Sequence, residues 1–378
     1  MNKTPGTVET VIVTSDEPWS DIWHTQLHYA YQLSKRCRVI FIDPPLPWKI
    51  SHLIDFKSEV KQVSEMLTVT RYKNFLPFFI GKIAVRINDL INELLLKKLA
   101  ARSTNNSRLL IWHFDPFRSH FIFRRLKAVK HIYHVVDPIV GFHMDKEMTV
   151  KADLVIVTSP KFLHHYQSLN KNVIQIGQGA DIDFFKQRYN EDELKSLISY
   201  DSILLLGTFS DEIDYRFLKL LANKYPGKLV LIGPDKTVSS EMKLALSELK
   251  SMDGVHWLGA MNPAGFHKHL LACKMGIITY TYSNYERNNL RSPLKVISYL
   301  ACDKCIISNI DCELPGLVDK AVYIVNNDEA YFNLIDRGFN NSLVFDKNTV
   351  TEFLNQIDYN KLLTSVFERL NEELPALK

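Results

Sequence analysis

Ser292, Pro293, Leu294 and Lys295 open a stretch whose order suits anion chemistry. Serine is a good N-cap, and proline fits the first helical position because it lacks the N–H that would be orphaned there. Leu294, Ile297, Leu300 and Ala301 then recur at helical spacing. The helix they predict begins with free backbone N–H groups and a lysine in its first turn, an arrangement that attracts phosphate. The same residues also fit an ordinary capped helix with Lys295 as a surface lysine. A second set, Asp16, His24, His113, Asp115, His134 and Asp137, falls at or just beyond the ends of predicted strands. In open α/β sheets those ends face the ligand crevice. Carboxylates and imidazoles placed there could orient a hydroxyl or take its proton. Each could equally close a turn or cap a helix. Asp115 and Asp137 are the strongest candidates of the six.

Two metal-like patterns carry less. Cys302, Cys305 and Cys312 have a loosely zinc-like spacing without an evident fourth ligand, and a helix followed by a strand explains the burial of the first two. Asp181-Ile182-Asp183 has the form of a metal-binding D-x-D, but it reads as a turn in the link between two repeating patterns.

The elements that must position these groups alternate. Strands are expected at 11–14, 38–43, 109–112, 131–136, 154–158 and 173–176, with Pro44-Pro45 stopping the second. A helix is expected over 21–34, and a long amphipathic one over 75–99. The pattern restarts after residue 200, with strands at 202–206, 228–232, 255–258, 275–280 and 305–307, and ends in helices. Strand–helix alternation without tight hairpins implies parallel, doubly wound sheets. The chain of 378 residues is long enough for two such domains.

Composition narrows the class. Apolar residues at 46% and charged residues at 23% are ordinary for a soluble globular protein. No apolar run is long enough to span a bilayer, and the first residues lack a signal-peptide core. Five scattered cysteines point to a reducing compartment. Residues 61–130 hold 14 Lys+Arg against 4 Asp+Glu, an excess of +10 in a chain whose net charge is only +4. Lys82, Arg86, Lys97 and Lys98 flank the amphipathic stripe, which includes Ile83, Ile87, Leu90 and Leu94. This sector could dock on an anionic membrane face, or the stripe could be core beneath solvated lysines. Nucleic acid is disfavoured, because no repeated basic–aromatic module accompanies the charge.

Taken together these pieces resemble the GT-B glycosyltransferases, especially the retaining bacterial enzymes of family four and their teichuronic-acid-type relatives. The resemblance runs from Val11 to about Val325. It rests on Trp23 and Gln26, Ile111-Trp112-His113-Phe114-Asp115-Pro116, Tyr133-His134-Val135-Val136-Asp137 and the Gln178-Gly179-Ala180-Asp181 link. In the second half it rests on Leu206-Gly207-Thr208, Leu231-Ile232-Gly233-Pro234 and the 292–308 signature. It implies two Rossmann-like doubly wound parallel-sheet domains facing a central cleft. Residues 1–180 would bind acceptor, 181–200 link, 201–355 bind the nucleotide-sugar, and 356–378 form a C-terminal helix with a course back to the first domain as one option.

The resemblance also implies chemistry. A hexosyltransferase of this kind moves a sugar from a nucleoside-diphosphate donor to a polysaccharide or lipid-linked acceptor in cell-surface or exopolysaccharide synthesis. The anomeric configuration is retained, and no metal or other cofactor is required. Gly207, Thr208, Gly233, Ser292, Pro293, Leu294, Lys295, Ser298 and Glu286 would hold the donor. Asp16, His24 and His134 would lie on the acceptor side, with Asp115, Asp137 and His113 at the reacting centre. The expected place is the cytoplasm, with the inner membrane face as a peripheral station. The sequence departs from the family at Ser298, where a ribose-binding glutamate is usual, and at Leu290, where a second glutamate is usual; Glu286 is a nearby substitute. These departures keep open a non-catalytic GT-B partner protein that binds nucleotide weakly. A sugar-nucleotide epimerase shares the architecture, but no carboxylate pair for elimination chemistry is evident in the sequence.

Overall fold

The computed structural model describes residues 7–55, 58–77, 82–101, 108–116, 128–137, 143–281 and 294–375. The chain divides into two compact units, one of Met1–Gly177 with Tyr359–Lys378 and the other of Gln178–Asp358. Each is built on a largely parallel sheet, as the alternation predicts.

The first unit carries β1 (Thr10–Thr14), β2 (Arg38–Leu46), β3 (Glu59–Ser64), β4 (Leu67–Lys73), β5 (Leu109–His113), β6 (Lys130–Val135), β7 (Leu154–Val157) and β8 (Val173–Gln175). Their order is β3-β4-β2-β1-β5-β6-β7-β8. β1 and β5 are buried along their whole length, so their continuous apolar runs mark the centre of the sheet. Helix α1 (Thr25–Ser34) packs Leu27, Ala30 and Leu33 into the core with Val11, Val13 and Trp112. Leu363, Val366, Phe367 and Leu370 of the helix Tyr359–Leu370 join that same core.

The second unit holds β9 (Ile203–Leu206), β10 (Leu229–Ile232), β11 (Val255–Gly259), β12 (Met275–Ile278), β13 (Ile306–Ser308) and β14 (Val322–Ile324), in the order β11-β10-β9-β12-β13-β14. Every named pairing in this sheet is parallel. The link's Phe185 packs onto this unit's core, and the Asp181 carboxylate caps the short helix Ile182–Phe185 by accepting from Phe184 N.

Four local expectations fail, each for a physical reason. β3 and β4 form an antiparallel hairpin across Glu65 and Met66. β3 is exposed throughout at the sheet edge, so it has no buried face to impose an apolar alternation. β2 continues through Pro44-Pro45 to Leu46, because its pairing with β4 shifts register there and frees the proline positions from the ladder. Helix α1 begins at Thr25 rather than residue 21. Residues 75–77 lie outside the long helix α2 (Lys82–Ala101), consistent with Pro77, which biases Leu76 away from helical geometry.

Candidate functional site

A candidate anion site lies at the C-terminal edge of the second sheet. Glycine directly follows β9 and β10 and ends β11, and a backbone ladder joins the three: Gly207 N donates to Ile232 O at 2.9 Å and Gly233 N to Gly259 O at 2.8 Å. Gly233 has φ 150°, and a Cβ placed on it would sit 1.7 Å from Gly207 O. The result is a floor of bare backbone on which a ligand can approach closely.

Lys295 stands over this floor from helix α3 (Leu294–Ala301). Its Nζ lies 3.1 Å from where a Gly207 Cβ would be, donates to Tyr280 Oη at 2.9 Å, and sits 4.7 Å from the centre of the Tyr280 ring. Tyr280 is itself fixed by Asn309, whose side chain accepts from Tyr280 N at 3.0 Å and donates to Tyr280 O at 2.7 Å. One turn along α3, the buried Tyr299 hydroxyl donates to Leu204 O at 2.7 Å and accepts from Leu206 N at 2.8 Å. The hydroxyl thus takes the place of a neighbouring strand, since β12 pairs with β9 only as far as Leu204. Gly276 makes the room, because a Cβ there would meet the Tyr299 ring at 2.5 Å. Lys295 and Tyr299 are four residues apart, so the tyrosine anchor fixes the helix face that carries the lysine.

Leu294 opens α3, Ser298 is nearly buried within it, and Thr208 is half-buried next to Gly207. Ser292, Pro293 and Glu286 lie outside the described residues. Cys302, Cys305 and Cys312 are free thiols, and burial pushes Cys305 and Cys312 up to about 11. Among the described residues no group of three or more His, Cys, Asp and Glu could hold a metal ion.

The acid–base groups gather at the corresponding edge of the first sheet, beyond β1 and β5. Asp16 follows β1 and accepts from Gln26 Nε2 at 2.7 Å. Burial, and then the charge of Asp115, raise its carboxyl to about 6. Asp115 follows β5 and is buried at 2% exposure. The loop that carries Asp16 is tied down by Asp43 at the end of β2, which accepts from Trp19 N at 2.7 Å and from Arg71 Nη2 at 2.7 Å. Asp16 and Asp115 lie near enough for the charge of one to act on the other, a proximity that their separation of 99 positions hides in the sequence.

His113 and His134 lie at the ends of β5 and β6, as expected, with their rings buried. His113 is fully buried, with Nδ1 3.4 Å from Thr14 Oγ1 and its ring stacked 5.8 Å from His131; burial holds it well below the usual histidine range. His134 is packed among Tyr29, Trp112 and Phe114, accepts from Trp112 Nε1 at 3.3 Å, and is pushed down to about 3 by burial. Burial keeps both rings neutral within the first unit. His24 is the N-cap residue of α1. Asp137 lies exposed two residues past β6.

The Asp16 shift has a signed consequence. In the unfolded chain its carboxyl ionises near 3.8, in the folded chain near 6. The folded state therefore holds the proton more tightly, and stability is lost as pH rises between those values. Asp16→Asn should raise stability by roughly 1–3 kcal/mol above about pH 7 and change it little at about pH 4. Thermal melts across that range check this; a variant equally affected at both ends would contradict it.

No protein-family model and no curated relative matches the sequence. Solved structures match over nearly the whole chain. The Anabaena HepE structure in complex with UDP and glucose aligns with TM-score 0.65 at 14% identity, covering 97% of this chain and 100% of that one. The E. coli trehalose-6-phosphate structure bound with UDP-2-fluoro glucose gives TM-score 0.65 at 12% identity, covering 97% and 100%. Sucrose-phosphate synthase from Thermosynechococcus elongatus gives 0.62 at 15%, covering 94% and 100%. These neighbours are GT-B glycosyltransferases, and the chain has the GT-B fold.

Proposed function

We propose that the protein is a glycosyltransferase that moves a sugar from a nucleoside-diphosphate donor to a polysaccharide or lipid-linked glycan in cell-surface biosynthesis. The observation that carries this reading is the Lys295 ammonium held over the backbone floor at Gly207. When the glycosidic bond to the donor breaks, negative charge grows on the departing diphosphate. A pre-positioned cation stabilises that charge without having to reorganise. The lysine fills the role that a divalent ion plays elsewhere, and turnover should survive chelator treatment.

On the acceptor side the pair Asp16 and Asp115 is suited to hold a sugar hydroxyl, with one carboxyl able to take its proton near neutral pH. The family resemblance favours retention, in which case the pair orients the acceptor rather than acting as an in-line base. Two of the matching structures contain uridine nucleotides, which makes uridine the first base to try.

The test is release of nucleoside diphosphate from a panel of nucleotide sugars, with and without glycan and glycolipid acceptors, and product anomers read by NMR. Acceptor-dependent release from one donor supports the proposal. Ser298, a short neutral group where the resembled family has glutamate, favours one second reading: a GT-B partner protein without turnover. Nucleotide binding without release from any donor would select it.

A further inference from the structure

Helix α2 buries polar groups beside apolar ones: Asn88, Asn92 and the Glu93 side chain are buried along with Ala84 and Leu96, and Leu96 packs with Ile12, Ile40 and Ile111. Asn88 donates to Leu76 O at 2.7 Å and accepts from Leu76 N at 2.8 Å, and Asn92 donates to Asn74 Oδ1 at 3.2 Å. The outward face is apolar. Ile83 is 74% exposed, Ile87 37%, Leu90 41% and Leu94 59%. These four recur at i, i+4, i+7 and i+11, one continuous stripe along the helix. The reading of this stripe as core is therefore wrong for these residues. Single exposed aliphatics are common on soluble proteins, but an aligned row of four is not.

The charge around the stripe indicates what covers it. At 3.6 residues per turn, exposed Arg86 and Lys97 fall along one border and exposed Lys98 along the other. The surrounding segment 61–130 carries the +10 excess. A further exposed apolar group, Ile50, Leu53 and Ile54, follows β2. It is tethered to the stretch that α2 grips, through Trp48 Nε1 donating to Phe75 O at 3.2 Å and Lys73 pairing with Asp55 at 2.9 Å.

From this geometry we infer that α2 is an in-plane membrane anchor, its aliphatic row seated among the acyl chains of an anionic bilayer and its basic borders on the headgroups. No helix among the described residues is long and apolar enough to cross a membrane, so the helix lies in the surface rather than spanning it. The inference does not depend on the nucleotide site, since it concerns the opposite chemistry on another element.

Flotation of the full chain with vesicles tests it. Phosphatidylcholine–phosphatidylglycerol vesicles should carry the protein, and vesicles of phosphatidylcholine alone should carry much less. Ile87→Ser with Leu90→Ser should weaken partitioning about tenfold or more, and Arg86→Glu with Lys98→Glu should abolish the preference for anionic lipid. Both variants alter exposed positions, so unchanged melting and nucleotide binding verify that they fold. Failure to float with anionic vesicles overturns the inference, as does flotation indifferent to both variants. A concentration-dependent dimer that Ile87→Ser dissociates would also overturn it, assigning the stripe to a second copy of the chain.

Discussion

Lys295→Ala lowers turnover by a factor of about 10²–10³ and weakens nucleoside-diphosphate binding at least about tenfold, while leaving the fold intact. The side chain is half-buried and makes its hydrogen bond to Tyr280 at 2.9 Å, so its removal leaves the tyrosine hydroxyl at a partly solvated edge, where water can replace the lost partner, rather than a buried void. What is lost is the fixed positive charge over Gly207. A cation that must be recruited from solvent, or held by a floppy side chain, stabilises a leaving group less than one already in place. Tyr280→Phe separates these two contributions. It keeps the ammonium but removes the hydroxyl that aims it, and should fall between wild type and Lys295→Ala. Steady-state release of nucleoside diphosphate measures both. Equal activity of all three proteins would remove Lys295 from the mechanism.

Gly233→Ala destabilises the second unit by about 3–5 kcal/mol, enough to threaten folding of that unit at 37 °C. The added methyl would sit 1.7 Å from Gly207 O, a backbone atom that cannot swing aside, at φ 150° where an L-residue is already strained. Relief requires β9 and β10 to part at the point where Gly207 N donates to Ile232 O. Urea titration followed by circular dichroism should show a transition moved to lower denaturant. An unmoved transition would mean that the glycine floor is looser than described.

Much of the architecture was legible because burial on both faces writes a parallel strand as an unbroken apolar run. β1, β5, β9, β10 and β12 could be read that way directly. β3 could not, since an exposed edge strand carries no such signal. Lys295 was legible from its place in a helix's first turn. Its supports were not: Tyr280 and Asn309 lie 15 residues before it and 14 after it, and their roles come from strand ends brought together by the sheet. The histidines misled for a related reason. A residue at a strand's last position can point into the core as well as out of the sheet's edge, and Trp112, Tyr29 and Phe114 close over His134 in a way that spacing cannot foretell. For α2 the periodicity was correct, but the identity of the buried face was decided by Asn88 and Asn92 gripping residues 74–76.

The central claim is that the second unit binds a nucleoside diphosphate on the glycine floor beneath Lys295. Isothermal titration of the full chain with uridine, guanosine, adenosine and thymidine diphosphates tests it most directly. The account predicts saturable binding of one of them, one per chain, accompanied by a rise in melting temperature as expected for a ligand that binds only the folded state. Flat titrations with all four, on a protein that melts cooperatively, would contradict it.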